Sequence, residues 1–287
     1  MKTVNSVTDT SKNKIEASVL YIVATPVGNM ADISYRAVKT LAEVDFIAAE
    51  DTRVTGKLLS QLDISKPMVS YHEHNKNSQH KYITDRIKSG DSCALVTDAG
   101  TPAISDPGYD LVKACIAENI KVTSVPGANA AITALTVAGL DTSQFMFIGF
   151  LNKLEKTKIE KIQTYDCTLV FYEAPHRLKE TLSELYNLLG DRKITLCREL
   201  TKLNEEIIRM TINGAITLYD TIDPRGEYVL VIDGNVMDES PFWSDMSVTE
   251  HADYYMNVMN YTKNEAIKSV AKDRKVSKNT IYKEFIN

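Results

Sequence analysis

Short runs that are mostly apolar at successive positions, separated by amphipathic stretches, set the pattern of the first half of the chain. Val19 to Ala24, Phe46 to Ala49, Met68 to Tyr71, Cys93 to Thr97 and Val122 to Val125 predict strands. Between them Ile33, Ala37, Val38, Leu41 and Val44 recur at helical spacing behind Asp32 as a cap, and Tyr82, Ile83 and Ile87 do the same before Gly90. Strands apolar on both faces and alternating with helices predict a mostly parallel sheet covered on both sides, forming a first domain that ends near Phe150.

The rhythm then changes. After a lysine-rich stretch from Asn152 to Lys161, strand signals at Thr168 to Tyr172, Ile194 to Cys197, Glu206 to Met210 and Tyr228 to Ile232 are separated by one long helix, Pro175 to Leu189, and a shorter one around Asn213 to Tyr219. Such close spacing predicts antiparallel pairs in a mixed sheet. From Pro241 the pattern is helical: Ala266, Ile267, Val270 and Ala271 share one helix face, Ser277 caps a second helix, and Ile281, Tyr282 and Phe285 line that one. The expected division is a flexible arm over 1–18, an N-terminal α/β domain over 19–150, a C-terminal α/β domain over 151–236 and a helical, helix-turn-helix-like tail over 237–287.

Composition excludes several classes. With 287 residues, 44% of them hydrophobic and 25% charged, the chain has the balance of a globular protein. Its net charge of −5 excludes a uniformly basic surface, so any nucleic-acid contact has to come from a local patch. Residues 261–287 are such a patch, with seven Lys/Arg against three Asp/Glu. The four cysteines, Cys93, Cys115, Cys167 and Cys197, have neither disulfide nor zinc spacing, and His72-Glu73-His74 lacks a regularly spaced third ligand, so no metal is expected. No run has the length of a membrane span and the first residues lack a signal-peptide core, which makes the cytoplasm the expected compartment.

Four turns follow predicted strands of the first domain, at the sheet edge where open α/β sheets bind ligands. They are Thr25-Pro26-Val27-Gly28-Asn29, Glu50-Asp51-Thr52-Arg53, the long loop from Thr97 through Asp98, Gly100 and Pro102 to Gly108, and Pro126-Gly127-Ala128-Asn129-Ala130-Ala131. Gly100 allows a close backbone approach, and Asp98 offers a carboxylate to a ribose hydroxyl or an amine. The small residues from Gly127 to Ala131 leave room for a flat adenine or a thioether. In the second domain, Glu173-Ala174-Pro175-His176-Arg177 and Arg198-Glu199-Leu200-Thr201-Lys202 end strands that would face the same cleft.

These turns, in this order, resemble the tetrapyrrole methylase superfamily, and within it the bacterial small-subunit ribosomal RNA (cytidine-2′-O-)-methyltransferases. The resemblance is carried by LYIVATPVGNMADISYRA, AAEDTR, ALVTDAGTPAISDPG, VPGANAAITAL, FYEAPHRL, CRELTK, RGEYVLVI and EAIKSVAKDRKVSKNTIYK, from Leu20 almost to the end of the chain. It implies an α/β fold class: two α/β domains with mixed sheets, of the tetrapyrrole methylase (class III methyltransferase) type, plus a small helical C-terminal segment. It implies S-adenosyl-L-methionine as cofactor, held by Pro26, Gly28, Asp98, Ala99, Gly100, Thr101, Pro102, Ile104, Asn129 and Ala130, with Phe150, Leu151 and Ala174 closing over it. It also implies 16S rRNA in the small ribosomal subunit as partner, at a cytidine of the decoding region, and a homodimer. One departure is visible, since Leu203-Asn204 stands where members often carry an aromatic residue.

A ribose hydroxyl is a weak nucleophile, so methyl transfer to it calls for positioning and for a base near the oxygen. Glu50, Asp51, Glu173 and Glu199 are the available carboxylates, and Lys202 joins them if burial lowers its pKa. For RNA, Arg53, His176, Arg177 and Lys202 suit contacts at the cleft, and Lys268, Lys272, Arg274, Lys275 and Lys278 suit phosphates at the tail. Two other classes share these features: a tetrapyrrole or precorrin C-methylase, which would not need the basic tail, and a non-catalytic RNA-binding assembly factor.

Overall fold

Five strands of the first half, β1 (Val19–Val23), β2 (Phe46–Ala49), β3 (Met68–Ser70), β4 (Cys93–Val96) and β5 (Lys121–Val125), lie side by side in the order β3-β2-β4-β1-β5. This is seen in a computed structural model that describes residues 14–151, 154, 156–234 and 242–286. Every pairing in the sheet is parallel, so the first sheet is not mixed. Strand parity divides its side chains. Val19, Tyr21, Val23, Ile47, Ala49, Ala94 and Val96 pack with Ala37 and Leu41 of α1 (Tyr35–Glu43) and Leu59 of α2 (Thr52–Gln61). Leu20, Ile22, Phe46, Ala48 and Leu95 pack with Ile83 and Ile87 of α3 (Lys76–Lys88) and with Leu111 and Cys115 of α4 (Gly108–Ala117).

Local capping differs from the sequence expectation at one point. Asp32 does not cap α1; it lies in a 3₁₀ turn, Met30–Asp32, whose own cap is Asn29, and the Ser34 hydroxyl accepts from the Ala37 N–H to start α1. A serine three residues before a free N–H outcompetes an aspartate already held in a turn. The described end of the arm is anchored as well: Ser18 N–H donates to the Gly90 carbonyl and Glu16 pairs with Lys121, while residues 1–13 lie outside the described residues.

The second sheet runs β6 (Phe145–Gly149), β7 (Thr168–Glu173), β10 (Tyr228–Ile232), β8 (Lys193–Arg198), β9 (Glu206–Thr211). It is mixed, with β6 parallel to β7 and the other pairs antiparallel. β6, to which the sequence reading gave no strand, thus pairs in the second sheet although it precedes residue 150. One face packs on α6 (Lys156–Ile162), α7 (Leu178–Leu189) and α8 (Ile212–Thr221) through Leu169, Phe171, Ile194, Leu196 and Leu230. The other carries Val170, Cys197, Val229 and Val231 against Ala131, Ala134, Leu135 and Ala138 of α5 (Ala130–Ala138), the helix that leaves the first sheet. Residues 175–177, expected as the start of a long helix, form a separate 3₁₀ turn ahead of α7.

The chain divides into two compact units, Met1–Asn235 and Val236–Asn287. The second holds three helices among its described residues, α9 (Val248–Asn257), α10 (Lys263–Asp273) and α11 (Lys278–Ile286), around Ala252, Ile267, Val270, Ala271 and Ile281. Both α9 and α10 begin with capping boxes, Ser247 with Glu250 and Thr262 with Glu265. Tyr282, expected on the inner face of the last helix, is exposed, and the Phe285 side chain lies outside the described residues. No helix among the described residues is long and apolar enough to cross a membrane.

Candidate functional site

Three of the four turns are tied to one another by hydrogen bonds at the carboxyl edge of the parallel sheet. Thr25 N–H donates to the Gly100 carbonyl at 2.9 Å and Gly100 N–H to the Thr25 carbonyl at 3.1 Å, an isolated antiparallel bridge between the loops after β1 and β4. The buried Thr25 hydroxyl donates to the Thr97 carbonyl, and the Thr101 hydroxyl to the Ala128 carbonyl in the turn after β5. Gly100 has φ +85°, and a Cβ there would point between Val27 and the Ala128 carbonyl. Two further close approaches join this edge to the second sheet. A Cβ on Gly28 would lie 2.9 Å from the Leu200 carbonyl and against Thr201 and Lys202, and one on Gly149 would meet Ser105.

The acidic turn after β2 splits into two roles. Asp51 caps α2 through the Arg53 N–H and pairs with the Arg53 guanidinium at 2.6 Å; these bonds hold its pKa down at about 2, which weakens it as a base. Glu50 turns the other way. Its Oε2 accepts from the Thr97 hydroxyl and from the Asp98 N–H at 3.3 Å. Asp98 is pushed above the ordinary carboxylate range by burial first and then by the Glu50 charge, although the Asp51 N–H bonds it. Its carboxylate is exposed at the sheet edge.

Three of the proposed bases are corrected by their surroundings. Glu173 shares strand parity with Leu169 and Phe171, so it is 3% exposed beneath α7, where it accepts from the Ala174 N–H at 2.7 Å and the Thr181 hydroxyl at 2.5 Å. Glu199 accepts from the Glu227 N–H and from Lys202, which lower its pKa. Lys202 spans Glu199 at 2.9 Å and Glu227 at 2.8 Å. Burial pulls its pKa down, but the two carboxylates outweigh that and raise it, so it stays a cation and is not free for a phosphate.

Of the positions expected around the cofactor, Pro26, Gly28 and Asp98 line one groove, and Ala99 and Ile104, the latter 41% exposed, are open to solvent. Gly100, Thr101 and Pro102 form the frame between turns. The Asn129 carboxamide oxygen caps α5 by accepting from the Ile132 N–H and its carbonyl accepts from Thr133, which leaves its N–H groups for a ligand. Ala130 is half-buried beside the second sheet. Phe150 meets Tyr172 edge to face at 5.8 Å, and the Tyr172 hydroxyl accepts from the Ala131 N–H. Leu151 does not face a pocket: it is buried in the core under α7, while Ala174 remains half-buried at the end of β7.

The groove itself, about 170 Å³, was missed in the sequence apart from those three residues and Thr25 and Thr97. Its remaining wall is Met30 with Val54, Thr55, Leu58 and Gln61, one face of α2. The only sequence signal was that i, i+4, i+7 spacing. Among the expected RNA contacts, Arg53 has 87% of its side chain exposed beside its pair, His176 is exposed, and Arg177 pairs with Glu180 at 3.2 Å. In the second unit Lys268, Lys272, Lys275 and Lys278 are exposed. Arg274 is not free: its guanidinium donates to the Met246 and Ser247 carbonyls and to His251 Nδ1, and it lies over Trp243.

Residues 19–215 match the family described as Tetrapyrrole (Corrin/Porphyrin) Methylases. A Ribosomal RNA small subunit methyltransferase I of Halalkalibacterium halodurans is 47% identical over 273 residues, covering 93% of this chain and 94% of that protein. One of Bacillus subtilis is 46% identical and covers 95% of each. Among solved structures, uroporphyrin-III C-methyl transferase from Thermus thermophilus, complexed with S-adenyl homocysteine, superposes with a TM-score of 0.57 at 18% identity over 75% of this chain and 96% of that one, a likeness of fold. The chain therefore belongs to the tetrapyrrole methylase family, on the branch of the ribosomal RNA small subunit methyltransferases.

Proposed function

We propose that this chain transfers a methyl group from S-adenosyl-L-methionine to the ribose 2′-oxygen of a cytidine in 16S rRNA, in the decoding region of the small ribosomal subunit. The observation that carries the reading is the bridged edge of the first sheet. There, rigid loops after β1, β4 and β5 present small or exposed residues beside a carboxylate cluster and a groove. The residues fit the cofactor. A Cβ at Gly100 would project between the loops, Ala99 and Ile104 leave an accessible apolar surface, and the exposed Asp98 carboxylate can accept from ribose hydroxyls. Asp98, Ala99, Gly100, Thr101, Ile104, Phe150, Ala174, the N–H groups of Asn129 and the backbone of Ala130 would hold it. When bound it supplies a methyl group made electrophilic by a sulfonium sulfur.

The chain's own part is to fix the hydroxyl and take its proton. Of the five proposed bases only Glu50 is neither ion-paired nor enclosed beneath a helix among the described residues, and its hydrogen bonds hold it beside Thr97 and Asp98, which line the groove. Glu50 accepts the proton that the 2′-hydroxyl loses as its oxygen gains the methyl. The partner implied is the small subunit. Both the curated relatives' names and the exposed lysines of the second unit support an RNA substrate over a tetrapyrrole.

The test is transfer from methyl-labelled cofactor to small subunits from a strain lacking this activity, followed by nucleoside analysis. Label is expected as 2′-O-methylcytidine, with Glu50→Gln slowing turnover about a hundredfold or more while cofactor affinity holds. Label on a base carbon or nitrogen, or on a porphyrinogen alone, would refute the reading.

A further inference from the structure

We infer that the groove between the Met30–Asp32 turn and α2 is the slot for the target nucleoside, with the ribose at Thr97 and Asp98 and the edge of a pyrimidine base at Gln61. The inference rests on the proposed ribose methylation and specifies which residues receive the nucleoside.

Val54, Thr55, Leu58 and Gln61 run along one face of α2. From Val54 to Gln61 that face extends about 10 Å at 1.5 Å per residue, the length of a single nucleoside. One end is continuous with the site, since Thr25, Pro26, Gly28, Thr97 and Asp98 line the same groove. Pro26, Met30, Val54 and Leu58 supply an apolar lining suited to the faces of a base. Most of the polar lining is already occupied: the Thr25 hydroxyl donates to the Thr97 carbonyl, and the Thr97 hydroxyl to Glu50. Gln61 makes no side-chain hydrogen bond among the described residues, and it is exposed on the last turn of α2. A carboxamide offers one acceptor and two donors, which match the N4 amino group and the N3 lone pair of cytosine in a bidentate pair. The exposed Arg53 beside Val54 lies where the chain of the RNA would enter.

Two measurements test this. In the wild-type chain carrying methyl-labelled methionine and leucine, millimolar cytidine 5′-monophosphate is expected to shift the Met30 and Leu58 methyl resonances saturably. Unmoved resonances would overturn the slot. Gln61→Leu keeps the bulk of the side chain but removes its donors and its acceptor. The KM for small-subunit RNA is expected to rise about tenfold while cofactor affinity holds. An unchanged KM with active enzyme would show that Gln61 does not touch the base and overturn the inference, leaving ribose methylation standing. Absence of transfer by the wild type would instead remove the reading on which it rests.

Discussion

Glu199 shows how a residue that looks catalytic can be structural. It has φ +52°, is followed by Thr201 at φ +66°, and sits against Gly226, where a Cβ would come within 2.7 Å of its carboxylate. The Glu227 N–H and then Lys202 hold its pKa below the usual range. A carboxyl with a depressed folded pKa adds stability that is complete above its unfolded value, about 4.3, and is lost as the pH falls through the folded one. Urea unfolding of the wild type between neutral pH and the acid range is therefore expected to lose stability below about pH 4.3 more steeply than Glu199→Gln does; parallel curves would count against the pairing. The sequence located this loop correctly but not its chemistry. The more distant partner of Lys202, Glu227, lies in the loop just before β10, and an ion pair between loops far apart in the chain leaves no local pattern.

At the scale of elements, α5 carries the connection from the first sheet to the second. Asn129 caps its first turn, and its last carbonyl, that of Ala138, accepts from the Thr195 hydroxyl at 3.0 Å and from Arg209 Nε at 3.1 Å, with Gly139 at φ +75° ending the helix. Losing an N-cap costs about 1 kcal/mol, so Asn129→Ala is expected to destabilise the first unit by that amount and Asn129→Asp hardly at all. Hydrogen exchange at the Ile132 amide should accelerate in the alanine variant alone. Most elements were legible because the central strands are buried on both faces and so read as apolar runs. β6 was not, since four of its five residues remain partly or fully exposed, and its register breaks between Phe147 and Gly149. Glu173 was misassigned for a reason that parity could have exposed: counting by twos from Leu169 places it under α7 rather than in the cleft. The groove wall on α2 was hidden because a partly exposed helical face with a terminal glutamine resembles the flank of any surface helix.

At the scale of the whole molecule, a net charge of −5 sets the problem that an RNA partner poses. Attraction to phosphate would have to be local, and the second unit carries exposed positive charge at Lys268, Lys272, Lys275 and Lys278, while Arg274 is spent on holding Met246, Ser247 and His251. Since those lysines lie outside the buried set Ala252, Ile267, Val270, Ala271 and Ile281, replacing all of them with glutamine is expected to leave the unfolding transition in place. Each phosphate contact contributes about 0.7 to 0.9 to the slope of log affinity against log salt, so the variant's slope for small-subunit RNA should flatten by about 3. Affinity should then fall most at low salt and converge with the wild type as salt rises. Arg274→Gln is expected to do the reverse, lowering the stability of the second unit through the carbonyls it abandons while leaving the salt slope near the wild-type value. An unchanged slope in the lysine variant would move RNA recognition off this unit and onto the cleft residues Arg53 and His176.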